Sequence, residues 1–80
     1  MKILVNPNFK RNIIYKKSKL KPYEVVELEK FIEEIETNPE KADQDEKTKL
    51  YKREIVTTFC CIIVYEYDPV KDTLIYWAIE

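Results

Sequence analysis

The sequence predicts an α+β fold: an N-terminal strand and a helical hairpin packed on a small, mainly antiparallel sheet, in the order β-α-α-β-β-β. Three observations predict it. Apolar residues recur at helical spacing from Val25 to Ile35. Phe59-Cys60-Cys61-Ile62-Ile63-Val64 is an unbroken apolar run, and Phe, Ile and Val favour a pleated backbone. The three strand-like segments that close the chain are joined by short connections, which suits an antiparallel meander. Helices gathered ahead of the strands suit a sheet with the hairpin on one face.

Lys2 to Val5 is a short apolar run and reads as the first strand. Asn6-Pro7 then starts a helix, because Asn caps well and Pro suits the first helical position. That helix runs from about Pro7 to Lys19. Phe9, Ile13 and Leu20 share a face with Lys16, whose stem can cover apolar surface while its ammonium stays wet. Lys10 and Lys17 line up beside that face. Lys21-Pro22 ends the helix and opens the next, since the residue before proline disfavours the α region.

In the second helix Val25, Leu28, Ile32 and Ile35 recur with spacings of 3, 4 and 3, with Phe31 beside them. Glutamates fill most of the remaining positions, and Thr37-Asn38-Pro39 stops it. Glu40 to Lys49 is polar and reads as a loop. Leu50 to Thr57 reads as a half-polar strand, with Tyr51, Arg53 and Ile55 on one side and Leu50, Lys52, Glu54 and Val56 on the other. Thr57-Thr58 is a weak turn, and the alternative is one long bent strand from Leu50 to Tyr67. The run to Tyr67 is then the central strand, its Cys61, Ile63, Tyr65 and Tyr67 side and its Cys60, Ile62, Val64 and Glu66 side both mostly apolar, as expected of a strand covered on both faces. Asp68 to Asp72 is a turn. Thr73 to Ile79 is the last strand, expected to place Leu74, Tyr76 and Ala78 one way and Ile75, Trp77 and Ile79 the other.

Eighty residues make one domain, residues 1–80, and a chain this short buries only about 60% of its unfolded surface. An apolar content of 45% against 36% charge fits a globular chain and excludes a disordered one. No segment has the length of a membrane span, and Met1 to Val5 lacks the apolar region of a signal peptide. The expected location is the cytosol, without a membrane partner.

The absence of glycine excludes the phosphate-cradling P-loop and dinucleotide fingerprints. The absence of histidine excludes catalysis by an imidazole base. With two adjacent cysteines as the only sulfur ligands of that type, neither a metal nor a cofactor is expected. The net charge of −1 hides strong blocks. Residues 1–23 carry seven bases and no acid, and residues 47–53 carry four bases and no acid. Residues 24–46 carry ten acids against two bases. The two basic blocks would make a positive patch if the fold joined them. Lys10, Lys17 and Lys49 are the residues such a patch would offer to a nucleic acid.

Three segments carry a family likeness. Val5-Asn6-Pro7-Asn8-Phe9-Lys10-Arg11 resembles the strand-to-helix entry of the RelE/ParE toxin superfamily. The helix closing on Thr37-Asn38-Pro39 is similar to that family's second helix. Ile62-Ile63-Val64-Tyr65-Glu66-Tyr67-Asp68, followed by Thr73-Leu74-Ile75-Tyr76-Trp77-Ala78-Ile79, resembles its last two strands. The likeness covers nearly the whole chain in order.

It implies the toxin half of a type II toxin–antitoxin pair, with an antitoxin protein as partner. In nuclease members it further implies the ribosome and mRNA as partners, and cleavage without metal. Lys52 and Arg53 fall in the strand that supplies basic groups in those members, so the resemblance makes them phosphate and charge stabilisers. Tyr51 or Tyr65 would be a proton-transfer or base-stacking group, which requires a pKa lowered from about 10. Where the family often carries an arginine beside a tyrosine, this chain has Cys61-Ile62, or Phe59-Cys60 in a shifted register. The alternatives are a catalytically degenerate relative, or a small α+β protein that acts only as a protein-binding module or homodimer.

Overall fold

The structure is a computed structural model that describes residues 1–80. Five strands and two helices follow the order β1 (Lys2–Val5), α1 (Pro7–Lys19), α2 (Pro22–Thr37), β2 (Asp43–Gln44), β3 (Tyr51–Val56), β4 (Cys60–Asp68) and β5 (Thr73–Ile79). The strands form one sheet in the order β1-β5-β4-β3-β2. Only β1 and β5 pair in parallel; the other three pairings are antiparallel. The fold is therefore α+β, with the expected elements in the expected order and one short added strand, β2, and β4 is the middle strand. No helix is long and apolar enough to cross a membrane.

Local chemistry sets the helix ends. The Asn6 side chain accepts the Asn8 N–H at 2.9 Å, and Pro7 fills the first turn, where no donor is missed. Pro22 opens α2 in the same way, and the Glu24 carboxylate accepts the Lys21 N–H at 2.9 Å. At the far end the Asn38 N–H donates to Glu34 O, and Pro39 prevents another turn.

The core lies between the sheet and the hairpin. It comprises eleven side chains, among them Phe9, Leu28, Phe31, Ile35, Cys61, Ile63, Tyr65 and Leu74. Full burial of an aliphatic or aromatic side chain contributes about 1.5–3 kcal/mol, so so small a set leaves a thin margin. Phe9 of α1 stacks on Tyr76 of β5 with centroids 4.8 Å apart. Along β4 only the Cys61, Ile63 and Tyr65 side is buried; Cys60 is exposed, and Ile62 and Val64 are half-buried. One face of the sheet is thus covered and the other open, although the open side of β4 is also mostly apolar, with Glu66 its one charge before Asp68.

Two expectations are corrected. The segment from Glu40 to Lys49 is not purely a loop, because Asp43 and Gln44 pair with Lys52 and Tyr51. Asp45 then organises the return, its Oδ1 accepting the N–H groups of Lys47 and Thr48 at 2.8 and 2.9 Å. The last strand also departs from simple alternation. Tyr65 pairs with Tyr76 but Val64 pairs with Ala78, so β5 carries one extra residue, Trp77, at a bulge. Beyond the bulge the faces swap: Ile79 joins Leu74 and Tyr76 in the core, and Ala78 joins Ile75 on the open side.

The β3–β4 hairpin turns at Thr57–Phe59, with Val56 opposite Cys60. Its threonines tie it to α2. Thr57 Oγ1 donates to Glu27 at 3.0 Å, and Thr58 Oγ1 donates to Glu24 at 2.6 Å. The Thr58 hydroxyl first, and the Lys21 N–H second, hold the Glu24 carboxyl below its ordinary 4.5. A carboxyl depressed in the folded state stabilises the fold above its unfolded pKa, and that contribution is lost as pH falls through the folded value. Thr58→Val should therefore lower stability at neutral pH and flatten its decline below pH 4.5. Denaturant unfolding at several pH values checks this: the two curves should converge at the acid end, and parallel curves would show that the Thr58 bond has no such effect.

Candidate functional site

The residues on which RNA chemistry would rest are placed by the two-residue period of β3. Tyr51, Arg53 and Ile55 point toward the helices, while Lys52, Glu54 and Val56 are exposed on the open face. Lys52 and Arg53 are neighbours in sequence but stand on opposite sides of the sheet. Two groups so placed cannot clamp one phosphate.

Arg53 is engaged on the helix side. Its Nη2 lies 3.3 Å from Glu34 Oε2, and its guanidinium carbon is 5.7 Å from the centre of the Phe31 ring. Its Nη1 is buried without an acceptor. The side chain is 19% exposed, and it borders a cleft of about 580 Å³ that also receives Lys30, Lys41, Glu33 and Glu34. Three cations and two carboxylates meet there, so this cleft is electrostatically mixed. Glu34 is nineteen positions from Arg53, and no local pattern in the sequence pairs them.

Lys52 borders a second cleft, of about 380 Å³, formed with Val64, Leu50 and the β2 turn. Asp43 and Asp45 line it too, and Asp43 is directly opposite Lys52 in register. Backbone N–H groups of Thr48 and Lys47 hold the Asp45 carboxyl below its usual range, so it stays charged. This cleft is electrostatically mixed rather than a cationic funnel.

The tyrosines are packing groups. Tyr65 is fully buried, and its hydroxyl donates to Pro39 O at 2.6 Å. Burial pushes its phenol up to about 12, against a smaller opposing effect of Arg53. A base at neutral pH needs the opposite shift. Tyr51 is buried and stacks on Tyr65, with centroids 5.4 Å apart. Neither ring is available to stack on a nucleobase. Tyr76 is likewise buried and donates to Glu36 at 3.0 Å, and its phenol is raised by burial first and by that carboxylate second.

The basic blocks are held apart. The sheet order puts β1 at one edge and β3 with β2 at the other, while α1 packs on β5. Lys17 Nζ is 3.5 Å from Glu29 of α2, which links the hairpin. Lys10 is exposed on α1, and Lys49 is in the turn before β3, with φ of 63°. Lys16 does more than cover apolar surface: its ammonium donates to Cys60 O at 2.8 Å. Both cysteines are free thiols, and burial pushes the Cys61 thiol up. No three His, Cys, Asp or Glu side chains stand close enough to hold a metal ion. No protein-family model matches the sequence, and no curated protein matches it.

The two faces of β3 make different demands on stability. Arg53→Ala should cost about 1–2 kcal/mol, through lost packing on Phe31 and a weakened link to α2, whereas Lys52→Ala should stay within about 0.5 kcal/mol. Urea unfolding of both variants checks the contrast, and equal losses would contradict it. In an ultraviolet titration, Tyr65→Phe should remove a phenol that ionises near 12. A phenol titrating near neutral pH that disappears in Tyr65→Phe would contradict the burial argument.

Proposed function

We propose that this chain is a RelE/ParE-like domain, the toxin half of a toxin–antitoxin pair, that acts by binding protein and does not cleave mRNA. The observation that carries the second part is the division of the candidate catalytic groups by the sheet. Lys52 is alone on the open face, while Arg53, Tyr51 and Tyr65 are on the covered face. Metal-free phosphodiester cleavage needs charge stabilisers and a proton acceptor converging on one scissile bond. Here the guanidinium faces Glu34, and the buried phenol is donated to a backbone carbonyl.

The three segments that carry the family likeness support the first part by their places in the fold. Asn6-Pro7 caps the first helix, Asn38-Pro39 closes the second, and Ile62–Asp68 and Thr73–Ile79 lie in paired neighbouring strands. An antitoxin protein is the partner that this reading implies, and the cytosol is its setting.

Inducible expression in a bacterium, with growth followed and mRNA ends mapped, tests both parts. The expected outcome is growth arrest without new codon-phased ends, unchanged in the Lys52→Ala, Arg53→Ala double variant. Codon-phased ends that vanish in the double variant would establish the nuclease and overturn the proposal. Normal growth at high soluble expression would remove the toxin reading.

A further inference from the structure

The two edges of the sheet are finished differently. The β2 edge is two residues long, polar, and followed at once by Asp45. Shortness and charge are the usual guards of an edge. The β1 edge is less guarded: it is four residues long, with a single charge at its start. Ile3, Leu4 and Val5 are 41%, 42% and 45% exposed, and Lys2 is the only charged side chain in the strand.

The backbone of β1 is half-used. The Lys2 N–H donates to Asp72 O and the Asn6 N–H to Tyr76 O, both at 2.9 Å. In a parallel ladder, alternate residues bond to the same neighbour, so Lys2, Leu4 and Asn6 face β5. Ile3 and Val5 therefore direct their N–H and C=O groups away from the sheet. Side chains alternate independently of this: Ile3 and Val5 share the helix face with Leu74 and Tyr76, and Leu4 shares the open face with Ile75.

We propose that β1 pairs antiparallel with β1 of a second copy of this chain, about a two-fold axis at Leu4. This goes beyond the function proposed above and does not rest on it. In this register Ile3 is opposite the partner's Val5, and each exchanges both backbone bonds, giving four in all. Leu4 meets the partner's Leu4 in a non-bonded pair, where side chains approach most closely. Lys2 falls opposite the partner's Asn6, so no like charges face each other. Pro7, without an N–H, ends the ladder. A copy of this chain fits because the strand is complementary to itself in this register: the outward groups match in position, apolar meets apolar, and the single charge meets an amide. The open-face apolar pair of Leu4 and Ile75, which ends at Glu66 of β4, would then continue across the axis.

Four bonds and three side chains per copy make an interface below the standard size, so weak, concentration-dependent association is expected. Sedimentation of the full chain over a range of concentration should show a monomer–dimer equilibrium. Leu4→Lys, which places two ammonium groups at the axis, should weaken it at least about tenfold, as should Val5→Pro, which removes an outward donor. Circular dichroism confirms that each variant is folded. Geometry is tested separately: with Cys60→Ser in place, Leu4→Cys should oxidise to a covalent dimer and Ile3→Cys should not, because only position 4 meets itself. A chain that stays monomeric at about 200 µM, a dimer indifferent to Leu4→Lys, or faster cross-linking at position 3 than at position 4 would overturn the proposal.

Discussion

The one-sided burial of β4 is the constraint on which this structure depends. Cys61, Ile63 and Tyr65 belong to the one core cluster, and β3 and β5 pair directly with their strand. The strand is mostly apolar on both sides, but only one hairpin is available to cover it. The chain therefore has one solvent-facing sheet surface on which apolar residues are half-buried by their neighbours alone. Such a sheet tolerates little error in register, because a slip of one residue would exchange the two faces completely.

The helical layer is secured to that sheet by polar contacts as well as by packing. Glu24, Glu27, Glu34 and Glu36 of α2 each receive a hydrogen bond from β3, β5 or the turn between β3 and β4. The acidic run of the second helix is thus partly structural. The same contacts explain why Arg53 is not free: the glutamate row that makes α2 acidic reaches the guanidinium first. Fold and candidate chemistry compete for one residue, and here the fold has it.

Much of the architecture was legible in the sequence. Asn6-Pro7, Lys21-Pro22 and Asn38-Pro39 mark helix boundaries because proline restricts the backbone before and at itself. The middle strand announced itself by its length and apolarity. What escaped was structure without a local signal. Asp43 and Gln44 form β2 only because β3 offers free backbone groups beside them. The bulge at Trp77 has no glycine or proline to mark it, so the burial of Ile79 was assigned to the wrong face. The candidate site was legible residue by residue: the alternation of β3 separates Lys52 from Arg53 on paper. Which of the two faces the helices would cover was not, since Tyr51, Arg53 and Ile55 look no more like a core face than a site.

The adjacent thiols give the molecule a built-in clock. Cys60 is exposed, whereas Cys61, one residue on, is 1% exposed beneath the hairpin. A thiol reagent in solution reaches the first in the native state, but reaches the second only when β4 and the helical hairpin part. The ratio of the two modification rates reads the frequency of that opening under native conditions, without denaturant. Because β4 is the middle strand, this opening approaches the global unfolding of the chain, and the second thiol reports how often the whole protein comes apart.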